Sequence, residues 1–222
     1  MTVLTADVSM AERARLSGGH SQDAIYAAVA RALPPTPGRL VDVGSGGGAL
    51  WAYVRGRFTG YIGIDGVAFD GFPSDGRLVL ADLDTAVPLA TGSADAVVSV
   101  ETIEHLENPR AFVRELVRIA RPGAPVVITT PNQLSALSLL TLLTRRQFGS
   151  FQDVHYPAHR TALLEVDLRR IARETGLSDL TIQYTCAGRI VFTARHYPRW
   201  LARLAPRLFS DNVLLVARKP AQ

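Results

Sequence analysis

The run Val41-Asp42-Val43-Gly44-Ser45-Gly46-Gly47-Gly48 decides the fold of this chain. Residues 40–43 form a short apolar stretch that reads as a buried strand. It breaks at once into glycines, which mark a tight turn where backbone comes close to another group. A helix is expected directly after it, over residues 49–55. Strand, glycine turn and helix in that order open a βαβ unit, and such a turn is an established place for a bound ligand.

The pattern repeats downstream. Residues 61–64 read as a strand ending at Asp65, residues 78–80 as one ending near Asp82, and residues 96–100 as one ending at Glu101. Asn108 and Pro109 make a cap and first-turn pair for a helix to about Ala120, with Phe112, Leu116 and Ile119 on its buried face. Pro122-Gly123 stops that helix, and residues 125–130 form a fifth strand. Upstream, Ser21 is the expected cap of a helix over residues 22–33, which ends before Pro34, Pro35, Pro37 and Gly38. Later segments are less regular. Residues 134–146 read as an amphipathic helix, Thr161 as the cap of a helix ended by Gly176, and residues 181–185 and 212–217 as strands. There is no internal repeat. Near-continuous apolar strands alternating with helices predict an α/β, doubly wound, Rossmann-like sheet covered on both faces. Ligands bind beyond the carboxyl ends of such strands, so Asp42, Asp65, Asp82 and Glu101 are expected on one rim.

Composition agrees. A length of 222 residues suits one α/β domain. The single cysteine, Cys186, rules out an intrachain disulfide and a zinc site built on several cysteines, and it fits a reducing, cytoplasmic setting. The stretch Met1 to Met10 contains Asp7 and lacks a basic start followed by an apolar run, so no signal peptide is expected. Residues 134–143 fall well short of the roughly 20 apolar residues that span a bilayer. The net charge of +4 comes almost entirely from arginines late in the chain, a local feature that does not predict a nucleic-acid partner.

The glycine turn alone leaves the ligand open. Gly44, Gly46 and Ala49 satisfy the G-x-G-x-x-G/A pattern of dinucleotide enzymes, and Asp65 follows about 20 residues on, where a carboxylate accepts from both hydroxyls of a ribose. Three features favour S-adenosylmethionine (SAM) over NAD. SAM has no pyrophosphate, and Asp42 before the turn can orient its ammonium. Asp82 and Leu83 are placed to grip an adenine. Finally, the segment from Ser93 to Asn132 has a familiar form.

That form extends along the chain. The runs Gly63-Ile64-Asp65, Ala81-Asp82-Leu83, Asp95-Ala96-Val97-Val98-Ser99, Glu101-Thr102-Ile103-Glu104-His105-Leu106, and Arg121-Pro122-Gly123 through Thr130-Pro131-Asn132 follow the glycine turn in order. With it they resemble class I SAM-dependent methyltransferases of the broad ubiquinone-biosynthesis type, over roughly residues 20–185. The resemblance implies a seven-stranded sheet whose last strand is antiparallel. It also implies a cofactor site of Asp42, Gly44, Gly46, Asp65, Asp82, Leu83 and Glu101, with Ser45 and Gly66 beside them in the turns. Gly123-Ala124 departs from the family's more usual pair of glycines. The expected layout is one domain over 1–222, with a SAM-binding core at 20–132 and acceptor-side elements at 133–222.

The catalytic candidates are Glu104 and His105. His105 is a candidate base for an oxygen or nitrogen acceptor. Glu101, Glu104 and His105, joined by His155 or His159, can also hold a divalent ion, although no metal is assigned. The Glu-x-x-Glu-His run looks like the metal site of RNA 3′-terminal ribose methyltransferases, but no series of base-stacking aromatics accompanies it. Tyr156, His159 and Arg160 are further acceptor-side candidates, and residues 134–143 read either as a lid or as a core helix. The segment after Asn132 and the tail around Arg195 look like methyltransferases of bacterial polysaccharide and glycolipid synthesis. Arg195, Arg199, Arg203 and Arg207 recur every four residues, so on one helix they form a stripe, either a solvated face or a contact for an anionic membrane surface. The expectation is O-methylation of a small molecule or glycan intermediate. The rivals are a NAD-dependent oxidoreductase, a non-catalytic SAM-binding module and a metal-dependent RNA 3′-terminal ribose methyltransferase.

Overall fold

The computed structural model of the chain describes residues 9–35, 37–191, 193 and 195–221. The stretch read for a signal peptide lies, up to residue 8, outside the described residues, as does the Arg199 side chain. In chain order the elements are helices α1 (Met10–Leu16) and α2 (Asp23–Ala32), strand β1 (Arg39–Val43), the short helix α3 (Trp51–Val54), and strands β2 (Gly60–Asp65), β3 (Arg77–Leu80) and β4 (Ala96–Ser99). Helix α4 (Pro109–Ile119), strand β5 (Pro125–Pro131), helices α5 (Ala136–Arg145) and α6 (Glu165–Glu174), strand β6 (Ser178–Ala187), helices α7 (Arg199–Leu204) and α8 (Pro206–Phe209), and strand β7 (Ser210–Arg218) complete it.

The seven strands form one sheet in the order β3-β2-β1-β4-β5-β7-β6. The first five pair in parallel, while β7 runs antiparallel between β5 and β6. This is the expected Rossmann-like sheet, antiparallel last strand included. Alternation along each strand divides the core in two. Val41, Val43, Ile62, Ile64 and Ile128 face Phe112, Leu116 and Ile119 of α4 and Leu168 and Ile171 of α6. Leu40, Tyr61, Val98 and Leu214 face Ile25 and Val29 of α2 and Trp51 and Val54 of α3. Burial on both faces explains the near-continuous apolar runs of β1, β2, β4 and β5, whereas the edge strand β6 alternates between half-buried and exposed positions over its first half.

Several helix starts differ from the sequence reading. Asn108 does cap α4, its Oδ1 accepting from Ala111 N–H at 3.0 Å, with Pro109 in the first turn. Ser21 does not cap α2. The cap position falls on Gln22, and the Ser21 N–H instead donates to Tyr26 Oη at 2.8 Å. Thr161 does not cap α6 either, because its hydroxyl donates to the Leu106 carbonyl and the helix starts four residues later at Glu165. For Thr161 a tertiary partner has taken the side chain that local sequence assigned to the helix end, whereas for Ser21 the helix simply begins one residue later. The helix expected over 49–55 is one turn, Trp51–Val54, followed by a 3-10 turn over Arg55–Arg57.

Helix α1 had no counterpart in the sequence reading. Ser9 caps it, and it leads into Ser17-Gly18-Gly19, which lies against the glycine turn: Gly47 N–H donates to the Gly19 carbonyl at 2.9 Å. Helix α5 is not a core helix. Ser138 is its one buried residue, Leu143 is exposed, and none of its side chains reaches the cavity described below. Among the described residues no helix is long and apolar enough to cross a membrane.

Candidate cofactor and acceptor site

A cavity of about 440 Å³ opens at the carboxyl ends of β1 to β4. That lies within the roughly 300–1,000 Å³ range of small-molecule and cofactor sites. All eleven residues named from the sequence line it. β1 and its turn bring Asp42, Gly44, Ser45 and Gly46, β2 brings Asp65 and Gly66, and the segment after β3 brings Asp82 and Leu83. The segment after β4 brings Glu101, Glu104 and His105. Of the later candidates, His159 reaches the cavity, whereas Tyr156 is exposed and Arg160 pairs with Glu107 at 2.7 Å.

The glycine turn is shaped by the protein's own packing. Gly44 N–H and Ser45 N–H both donate to the Ile64 carbonyl, folding the turn over β2. Gly44 has φ +81° and Gly46 φ +51°. A β-carbon at Gly44 would overlap the Thr102 side chain, and one at Gly46 would overlap the Gly19 carbonyl. The space that sequence reading reserved for a ligand at these two positions is thus filled by Thr102 and the α1–α2 connection. That connection was missed because nothing local marks it. Arg13, Ala14, Ser17 and His20 nevertheless line the cavity from this side. Arg13 holds α1 in place, 2.9 Å from Asp84 Oδ2 and 3.6 Å from Glu107 Oε1.

Carboxylates dominate the wall. Asp65 Oδ2 accepts from Gly46 N–H at 2.8 Å, and Oδ1 accepts from Val67 N–H at 3.3 Å. Burial raises its pKa against the pull of those amides. Asp42 is 2 % exposed and accepts from Tyr61 Oη at 2.8 Å through Oδ2, while its Oδ1 and the Ser45 hydroxyl have no partner. Burial pushes the Asp42 carboxyl up to about 7, opposed by the Tyr61 hydrogen bond and assisted by the charge of Asp65.

Glu101 sits in left-handed backbone, φ +50°, which is uncommon for a residue with a β-carbon. The Thr129 hydroxyl holds it there, accepting from Glu101 N–H and donating to Oε1, both at 3.0 Å, while Asn212 Nδ2 donates to the same Oε1 at 2.6 Å. Burial raises the pKa of Glu101 and of Glu104, and for Glu101 the neighbouring Glu104 adds to the effect. Burial lowers His105, and it lowers His159 to about 4 with repulsion from His105 assisting.

A family model described as "Methyltransferase domain" matches residues 18–182. The chain belongs to this methyltransferase family. Among curated relatives, an uncharacterized methyltransferase of Mycobacterium bovis is 34% identical over 105 residues, 43% of this chain and 40% of the relative. The matched stretch therefore spans about two-fifths of the length of such relatives. A ubiquinone biosynthesis O-methyltransferase of Chromobacterium violaceum is 28% identical over 65% of this chain and 66% of its own. The solved SAM-dependent methyltransferase of Archaeoglobus fulgidus shares the fold, with a TM-score of 0.64 at 19% identity over 90% of this chain and 95% of that one. The cofactor of this methyltransferase domain is SAM, and the site fits it. The unpartnered Asp42 Oδ1 and Ser45 Oγ, on a wall of carboxylates, suit a ligand carrying an ammonium and a sulfonium.

Proposed function

We propose that the protein transfers a methyl group from SAM to an oxygen of a small molecule or glycan intermediate, using the eleven cavity residues named above. The observation that carries this reading is the carboxyl-rich lining of the cavity. Asp42, Asp65, Asp82, Glu101 and Glu104 surround a space whose one lining arginine, Arg13, is already paired with Asp84 and Glu107. Such a wall attracts a cation and opposes a pyrophosphate, which weighs against the NAD-dependent oxidoreductase. When bound, SAM supplies a methyl group already activated by its sulfonium.

The chain's residues bind, orient and exclude water. Asp65 accepts from the ribose hydroxyls, Asp82 and Leu83 contact the adenine, and Asp42 and Ser45 take the ammonium in place of the water it loses. α1 covers the cavity. His105 Nδ1 is held by the Ala158 carbonyl at 2.8 Å, which leaves Nε2 as the atom that accepts the proton of an acceptor hydroxyl, with Glu104 behind it. One cavity is lined both by the cofactor-side Asp42 and by His105 and His159, which supports an enzyme over a non-catalytic SAM-binding module. We read the protein as cytoplasmic, where a lone thiol such as Cys186 stays reduced.

Calorimetric titration with SAM, S-adenosylhomocysteine and NADH tests this reading. Binding of the first two at about micromolar Kd, or about −8 kcal/mol, without NADH is expected. NADH binding alone would overturn it.

The C-terminal surface supports a second, separate reading: contact with an anionic membrane. Its geometry differs from a four-arginine stripe. Ala205 breaks the helix between α7 and α8, Arg195 precedes α7, and Arg207 donates to Glu165 and Tyr184. What favours contact is that Trp200 and Leu204 are 64% and 76% exposed beside the exposed Arg203.

A further inference from the structure

Glu104, His105 and His159 each present one atom of ligand type within 4.8 Å of the other two. The hydrogen bonds around them identify the nitrogens. His105 Nδ1 lies 2.8 Å from the Ala158 carbonyl, and His159 Nδ1 lies 2.7 Å from the Ser150 carbonyl. A carbonyl only accepts, so a neutral His159 ring carries its proton on Nδ1 and keeps a lone pair on Nε2, while the His105 ring meets the Glu101 carbonyl as well as that of Ala158. Glu104 is fully buried, with Thr130 donating to its Oε2 at 3.1 Å and its Oε1 left without any partner. One atom of ligand type from each of the three residues thus converges on the cavity wall.

The rings meet edge to face, with centroids 4.7 Å apart. Imidazoles pinned through Nδ1 by a backbone carbonyl are oriented the way metal-ligating histidines are. We infer that Glu104, His105 and His159 hold a divalent transition-metal ion on the cavity wall, and that its open positions take an oxygen of the acceptor.

Two ligands each about 2.1 Å from an ion stand at most about 4.2 Å apart, so small side-chain rotations close the observed spacing. Two nitrogens and one oxygen suit zinc, iron, manganese or cobalt better than magnesium or calcium, which take oxygen shells. Glu101 and His155, also considered from sequence, stand outside the trio. Glu101 Oε1 is taken by Thr129 and Asn212, and the His155 ring stacks on His159 at 5.6 Å. The acceptor part of this inference rests on the proposed methyl transfer, whereas the ion site does not. With an ion on Nε2, His105 no longer serves as base, and the ion acidifies the acceptor hydroxyl instead.

The test uses the full chain, free of tag and of metal, titrated with Co²⁺ and followed by visible absorption and calorimetry. One equivalent is expected, with d–d bands shaped by nitrogen ligation. Glu104→Gln and His159→Ala should each weaken Co²⁺ binding by at least about tenfold. No binding by the wild-type chain would overturn the inference, and so would one-equivalent binding that persists unchanged in both variants. If Glu104→Gln fails to fold, judged by circular dichroism, His159→Ala carries the test alone, because His159 lies outside the helices and strands. A parallel SAM titration of the wild-type chain separates the readings: lost SAM binding sinks the cofactor assignment and leaves the Co²⁺ result standing.

Discussion

At the scale of single residues, Asp65 and Asp42 carry the sharpest consequences. Asp65 has one oxygen on Gly46 N–H and the other on Val67 N–H, so it shapes the turn, and under the proposed function it also takes the ribose. Asp65→Ala should weaken SAM by about 10- to 100-fold, the loss of one hydrogen bond to a charged group at about 1.5–3 kcal/mol. A calorimetric Kd within threefold of wild type would remove the ribose assignment. Asp42 predicts a pH dependence. Burial raises its folded-state pKa to about 7, so between the unfolded carboxylate range and pH 7 the folded chain holds a proton that the unfolded chain has released. Its contribution to stability is therefore full at low pH and falls as pH rises toward 7. The ammonium of SAM favours the ionised form, so SAM affinity should rise between pH 6 and pH 8. Titrations across that range check it, and a Kd that is flat, or that weakens as pH rises, contradicts Asp42 as the ammonium partner.

At the scale of elements, the glycine turn and the first helix act as one unit. Gly46→Ala strains a left-handed position by roughly 1–2 kcal/mol and also pushes against the Gly19 carbonyl. It should lower Tm and speed proteolytic cleavage within residues 9–20 more than elsewhere. Uniform cleavage rates would mean that α1 does not depend on the turn. Helix α7 offers a second element-scale prediction. Trp200→Ala with Arg203→Glu should lower cosedimentation with vesicles containing phosphatidylglycerol, and unchanged binding would dismiss the membrane reading.

At the scale of the whole molecule, Arg13 links α1 to Asp84 after β3 and to Glu107 after β4, and Arg160 joins Glu107 from the acceptor side. Cofactor cover and acceptor wall therefore share one ion-pair network. Arg13→Gln should cost about 1 kcal/mol of closure, which appears as a three- to tenfold faster release of SAM in stopped-flow. An unchanged off-rate would show that α1 is held by its backbone contact with Gly47 alone.

The sequence by itself determined the strands and the acids at their ends, and the family resemblance added the antiparallel last strand and the rest of the eleven cavity residues. Each of those signals is local: apolar runs end in acids at strand termini, and a parallel sheet collects strand termini on one rim. What it left open lies in contacts between distant segments. Helix α1 is short and ends without a strong stop signal, so only its packing on Gly46 and Gly47 reveals it as the cover. The arginines spaced by four look equivalent in one dimension, yet Ala205 separates them and Glu165 claims Arg207. Glu104 and His105 sit side by side in sequence, but His159, more than 50 residues on, completes the trio because Thr161 and Arg160 donate backbone amides to the Glu104 carbonyl. Those hydrogen bonds belong to the folded chain alone. Spacing can name candidates for a site, whereas the direction of each lone pair is fixed only when distant backbone carbonyls take the opposing protons.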